Sequence, residues 1–403
     1  MTSLLAPGPG AMDTLPADGT LGTLVGRAWL PPTDAMPAGP SVVVVRADGV
    51  FDISEAAPTM SSLLEHDDPV ATVRATLGRW IGSLDSLLAG APVSTSNPAA
   101  AHLLAPCDLQ VIKAAGVTFA GSLIERVIEE QTKGDPQGAA EVRTRIRSLV
   151  GDRLSSIRPD SAEARELKAL LIAHGMWSQY LEVGIGADAE IFTKAPLLSG
   201  LGTGADIGLH PGSAWNNPEP EIVLAANSCG HLVGATLGND VNLRDFEGRS
   251  ALLLGKAKDN NGSCAIGPFL RLFDESFSLD DVRRAKVELR VDGEDGFVLS
   301  GTSSMDQITR DPLDLVAQAM GATHQYPDGF MLFLGTLFAP VEDRDAPGGG
   351  FTHKDGDIVR ISSRQLGTLV NRVGRSDRIA PWTFGVRALM ANLAARGLLG
   401  ASL

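Results

Sequence analysis

From Leu181 to about Val373 the chain never holds a helical period for long. Short apolar stretches (EIVLAAN, HLVGATLG, KVELRV, FVLSG, MLFLG, DIVRISS, LGTLVNRV) alternate with Gly, Asn, Asp and Pro turns. Apolar runs of this length, bounded by turn residues, predict strands, so this region is a β-rich domain with few long helices. Upstream, Ser41 to Ile53 reads as a hairpin turning at Ala47-Asp48-Gly49. Helical spacing predicts helices over Met60 to Leu88, Phe119 to Lys133, Ser161 to His174 and, near the end, Thr383 to Ala395. The Pro-, Gly- and Ala-rich first twenty residues read as a loose tail, and Gly90 to Ala101 as a linker. The expected organisation is a tail (1–20), a small α/β N-terminal domain (21–100) and a mainly β, α+β catalytic domain (101–403).

Charge narrows the function classes. The chain has 34 Lys and Arg against 48 Asp and Glu, a formal net charge of −14. A field of that sign repels nucleic acid and anionic membrane, so neither is an expected partner. No apolar run approaches the length needed to span a bilayer. MTSLLAPGPG shows no cationic region ahead of a long apolar stretch, so no secretory signal is expected. Cys107, Cys229 and Cys264 are sparse and contain no CxxC, which fits a reduced, cytoplasmic setting.

The chemistry concentrates in Trp215-Asn-Asn-Pro-Glu-Pro-Glu-Ile-Val-Leu. On a strand, Glu219 and Glu221 leave one face. Pro218 and Pro220 cannot donate ladder bonds, so this end is a strand start or an edge. If Asn227-Ser-Cys-Gly230 is the turn and Ala226 pairs with His231, Glu221 faces Thr236, Glu219 faces Gly238 and Asn217 faces Asp240. Glu219, Glu221 and Asp240 then converge on one side, unless a one-residue bulge breaks the parity. Three such carboxylates either form a solvated acidic face, hold protons, or hold a cation. An oxygen-only set favours Mg²⁺, Mn²⁺ or Ca²⁺ over zinc.

Neighbouring motifs decide between these readings. Gly238-Asn-Asp-Val-Asn-Leu-Arg-Asp245 contains the third carboxylate, and Lys256-Ala-Lys258 precedes Cys264-Ala-Ile-Gly-Pro268. Gly335-Thr336 lies on an apolar strand, and Lys354-Asp-Gly-Asp-Ile-Val359 follows. Together these resemble the fumarylacetoacetate hydrolase family from about Pro106 to Val373, with Leu337 where that family has Pro. The resemblance implies a roll of mixed sheets behind a smaller α/β domain, with Mg²⁺ held by Glu219, Glu221 and Asp240. Its six-residue spacing to Cys264 selects Lys258 over Lys256 as the active-site lysine, with the depressed pKa that base chemistry beside a cation requires. Glu190 is a second acid/base candidate. Subunits associating as a homo-oligomer, dimer or tetramer, are also implied.

One departure matters. The family's hydrolases activate water with a His-Glu pair, and the matching run here is Gly116-Val-Thr-Phe-Ala-Gly-Ser122-Leu-Ile-Glu125. Glu125 keeps its place, but Ser122 stands where the histidine should be, and serine is no general base at pH 7. The Gly-Val-Thr-Phe form, Lys-Ala-Lys-Asp-Asn-Asn and His324-Gln-Tyr-Pro-Asp-Gly resemble a subgroup that dehydrates 2-keto-3-deoxypentonates. The implied reaction takes such a sugar acid, foremost 2-keto-3-deoxy-D-xylonate, to 2,5-dioxopentanoate. Lys258 or Glu190 would take the C3 proton and Glu125 or Glu190 would protonate the leaving hydroxyl. Ser122 and Thr336 would bind substrate oxygens. The rivals are a C–C hydrolase or decarboxylase of an acylpyruvate-like acid, and a non-catalytic sugar-acid sensor.

Overall fold

The computed structural model describes residues 10–34, 36–90, 100–133, 141–144, 148, 157–175, 177–336, 340, 342–345 and 350–400. In chain order the strands are β1 (Leu24–Leu30), β2 (Gly39–Arg46), β3 (Gly49–Asp52), β4 (Arg79–Gly82), β5 (His102–Leu104), β6 (Val111–Gly116), β7 (Glu190–Ala195), β8 (Asp206–Leu209), β9 (Pro220–Ala226), β10 (Leu232–Asp240), β11 (Cys264–Leu272), β12 (Lys286–Asp292), β13 (Val298–Ser304), β14 (Phe330–Phe333), β15 (Ile358–Ser363) and β16 (Gly367–Arg375). They build two sheets. The larger runs β4-β3-β2-β1-β11-β10-β9-β14-β6-β7, with β5 beside β1, and the smaller runs β13-β12-β15-β16-β8. Both are mixed, because β14 lies parallel to β6 and β16 parallel to β8. The expected mainly β, α+β architecture is the one observed.

The strands of residues 21–100 share the larger sheet with the rest of the chain, through β1 pairing with β11. The expected linker falls largely on residues 91–99, outside the described residues. The hairpin read over Ser41 to Ile53 is β2 and β3, closed at Arg46 and Gly49. The helical spacing read over Met60 to Leu88 resolves into three short helices, Met60–Leu64, Pro69–Ala75 and Leu84–Ala89, with β4, which the spacing did not show, between the last two. Pro69 restarts a helix capped by Asp68, and Gly78 and Gly82, at φ +74° and +147°, take backbone conformations no helix contains. The other helices lie where spacing placed them, at Ala120–Gln131, Ala162–Ala173 (capped by Ser161) and Val386–Ala395.

Alternation along the central strands divides the core. Ile222, Leu224 and Ala226 of β9 and Leu237 of β10 pack between the sheets against Leu289, Val359, Ile361 and Leu369. Val223 and Ala225 face the other way, onto Met331, Phe333, Cys264 and Ile266. Glu219 and Glu221 continue that second face beyond its apolar part. Strand β9 is central, between β10 and β14, so its two prolines mark a strand start rather than an edge.

Candidate metal and proton-transfer site

The hairpin that carries the acids is offset from its expected register by two residues. Asn227 Oδ1 accepts from both Cys229 N and His231 N, and Ala226 pairs with Leu232. A bulge between Leu232 and Gly234 adds a second step, so Glu221 faces Gly238 and Pro220 faces Asn239. The two one-residue shifts cancel in parity. Asp240 therefore stays on the face of Glu219 and Glu221 and, with Asp240 N donating to Glu219 O at 3.0 Å, sits directly across from Glu219. Carboxylate oxygens of the three lie within 4.8 Å of one another, and all three side chains are buried.

Among the described residues, three cations meet this cluster. Lys258 Nζ lies between Glu219 Oε2 and Asp240 Oδ2, 3.0 Å from the latter. Lys194 Nζ is 2.7 Å from Asp240 Oδ1 and also donates to the Lys258 carbonyl. Arg126 Nη2 binds Glu219 Oε1. Among the described residues, no cation touches Glu221, whose Oε2 instead accepts from Gly335 N at 2.7 Å. Gly335 has to be glycine here. At φ +100° a Cβ would lie 1.9 Å from Thr118 Oγ1. Thr336, buried, follows it in the chain.

The electrostatics follow from burial and these partners. Burial, then Asp240 and Glu219, hold the Glu221 carboxyl well above the usual range. Burial alone would lower Lys258, yet Asp240 and Glu219 outweigh it and raise its pKa. The depressed lysine expected from sequence is thus corrected for the cation-free site, because the ammonium itself serves as the carboxylates' counterion. The donor set fits a divalent cation. It is all oxygen, convergent and buried, and one carboxyl, that of Glu221, makes no ion pair among the described residues.

Glu190, at the start of β7, pairs with Gly116, and a Cβ on Gly116 would lie 2.0 Å from Glu190 Oε2. The bare glycine makes room for that carboxyl. Burial first, then Glu247, pushes Glu190 up to about 7, against Arg126 and Lys258. Between about pH 4.5 and 7 the folded chain therefore holds a proton that the unfolded chain has lost, so stability falls as pH rises through this window. In EDTA, Glu190→Gln is expected to flatten the fall in unfolding free energy between pH 5 and 7.5 by about 2 kcal/mol. Urea titrations of both proteins at the two pH values check it, and an unchanged slope would be the contrary result.

Most residues expected at the site are brought together here, and Lys256 is exposed. Glu125 faces elsewhere, its two oxygens bound by Arg143 at 2.8 and 2.7 Å. Ser122 lies on the Ala120–Gln131 helix, with a side chain outside the described residues. Five residues were not read from sequence: Arg126, Glu129, Lys194, Arg244 and Glu247. Lys194 had a signal, since period two puts it on the face of Glu190 and Phe192, and a bulge in β7 opposite Ile112 and Lys113 leaves it out of the pairing and turns it inward. Arg126 lies three residues from Leu123 on the buried stripe, where a charge demands a partner. The Lys354-Asp-Gly-Asp turn is a turn, with Asp357 accepting from Lys354 N and His353 Nδ1.

Comparison with known proteins agrees with this picture. Residues 216–374 match the family model described as fumarylacetoacetate (FAA) hydrolase C-terminal. The 2-dehydro-3-deoxy-D-arabinonate dehydratase of Saccharolobus solfataricus is 31% identical over 193 residues, 47% of this chain and 60% of that protein. A "probable 2-keto-3-deoxyxylonate dehydratase" of Haloferax volcanii is 27% identical over 213 residues, 53% of this chain and 68% of that one. The chain thus spans only 60% of the first relative's length. The solved structure of 2-keto-3-deoxy-D-arabinonate dehydratase complexed with magnesium and 2,5-dioxopentanoate shares the fold, with a TM-score of 0.60 at 19% identity over 87% of this chain and 99% of that one.

Proposed function

With residues 216–374 a fumarylacetoacetate hydrolase domain, we propose that this chain is a divalent-metal-dependent dehydratase converting a 2-keto-3-deoxypentonate to 2,5-dioxopentanoate and water. The observation that carries the reading is the convergence of Glu219, Glu221 and Asp240 within 4.8 Å, with Lys258 lodged between two of them. The named relatives support the substrate class. A ketone at C2 and a methylene at C3 erase the centres that distinguish arabinonate from xylonate, leaving C4, which the first relative's name prints as D. The proposed substrate is therefore the D epimer.

Mg²⁺ on the three carboxylates would supply Lewis-acid polarisation of the 2-keto acid, making C3–H acidic. With the cation in place of its ammonium as the carboxylates' counterion, Lys258, which is buried, would give up its own proton and take the one at C3. The C4 hydroxyl leaves as water with a proton from the neutral Glu190 carboxyl. Glu190 fills this role in preference to Glu125, whose oxygens are already held by Arg143. The Glu190 carboxylate left behind takes a proton from C5, C3 regains a proton from Lys258, and the C4–C5 enol ketonises to the aldehyde. Among the described residues no histidine bonds to Glu219, Glu221, Asp240 or Lys258, and Ser122 holds the hydrolases' histidine position, which favours dehydration over C–C cleavage.

The test is incubation with synthetic D and L 2-keto-3-deoxypentonate, with and without EDTA, trapping aldehyde as the semicarbazone and assaying pyruvate. Expected is aldehyde from the D epimer alone, abolished by EDTA. Pyruvate release at a comparable rate would favour the hydrolase, and no turnover with added Mg²⁺ would favour a sensor.

A further inference from the structure

We propose that Arg126 is a positioning residue that docks the Ala120–Gln131 helix onto the metal-binding carboxylates and sets the charge Glu219 presents to a divalent cation; this rests on the metal reading above. The guanidinium is buried and spans three elements. Nη2 binds Glu219 Oε1 beside β9, while Nη1 lies 2.7 Å from Glu129 Oε2 on its own helix and 2.8 Å from Glu247 Oε2 on the Arg244–Glu247 helix. Glu129 Oε1 is in turn 3.1 Å from Arg244 Nε. One side chain therefore closes a network of two arginines and three carboxylates around the metal triad.

The helix is aimed so that residue 126, and not 125, faces the carboxylates. It leaves β6 through Val117, a β-branched residue at φ +54°, a conformation that persists only when its surroundings impose it. Those surroundings are Thr118 Oγ1 donating to Leu334 O at 2.6 Å, and Thr309 N and Oγ1 both donating to Thr118 O at 2.8 Å. Glu125 consequently turns to Arg143, and Arg126 turns to Glu219.

A fixed positive charge on one ligand oxygen repels a divalent cation while tethering the helix. The two effects have opposite signs when the charge is removed. A purely structural role predicts that both metal binding and helix order weaken together. The proposed role predicts tighter metal and a looser helix.

Mn²⁺ calorimetry and amide hydrogen exchange on the full chain separate these outcomes. Arg126→Met should bind Mn²⁺ at least about ten-fold more tightly than wild type. Exchange in residues 123–131 should speed up by about 10²-fold. Arg126→Lys keeps the charge but not the three-way fork. It should return Mn²⁺ affinity to within about three-fold of wild type while exchange stays intermediate. If Arg126→Met does not fold, Arg126→Gln, neutral and still able to donate, carries the same comparison. Unchanged or weaker Mn²⁺ affinity in the neutral variant, or wild-type exchange in the helix, overturns the proposal. Absence of Mn²⁺ binding by the wild type would instead sink the metal reading, and the charge-setting half of this proposal with it.

Discussion

Glu221→Gln is expected to lower kcat by at least about 10³-fold while making the cation-free protein more stable. On the proposed function, the loss follows from removing one of the three carboxylates proposed to hold a Lewis acid worth several kcal/mol in the transition state, each 1.36 kcal/mol being tenfold. The gain follows from the cluster's charge. Among the described residues Glu221 touches no cation, and its carboxyl is held well above its usual range by burial and then by Asp240 and Glu219. Its folded pKa is raised, so its contribution to stability is lost as pH rises above the unfolded value near 4.5. Glutamine is isosteric, keeps an acceptor for Gly335 N–H, and has no proton to lose. Thermal unfolding in EDTA should therefore show a gap in favour of the variant that widens with pH. Mg²⁺ should reverse the order, because mass action stabilises only the protein that binds it. A variant that turns over within tenfold of wild type would sink the metal assignment.

Lys258→Met is the second large effect. If Lys258 is the C3 base, kcat should fall by about 10²–10⁴-fold. In EDTA the fold should lose about 3–5 kcal/mol, because Glu219 and Asp240 lose the buried ammonium between them. A divalent cation should restore most of that, since it supplies the missing charge. Lys256→Met, at an exposed position, should do neither. Deuterium exchange at C3 of an analogue lacking the C4 hydroxyl isolates the proton-transfer step. Wild type with Mg²⁺ should exchange and Lys258→Met should not; equal exchange would pass the base role to Glu190.

Local pattern already contained most of the strands, the three longest helices and the acidic triad of this protein. Each depends on a period of two or 3.6, on a cap or on a turn residue, and all of these act over a few neighbours in the chain. The triad survived even an error in register, because the displaced turn and the bulge each moved it by one residue and side-chain facing depends only on parity. Only the tertiary structure decided the counterions. Arg126 lies 93 residues from Glu219, and Lys258 lies 18 from Asp240. No local rule says which distant charge a strand face will meet. Nor could the sequence show that Lys258 would be an ammonium pinned by carboxylates, or that Glu190 would sit over a bare glycine with its pKa near 7. Those properties come from desolvation and from Coulomb terms that fall off over a few ångströms. They exist only once β6, β7, β9, β10 and the Ala120–Gln131 helix have been packed together.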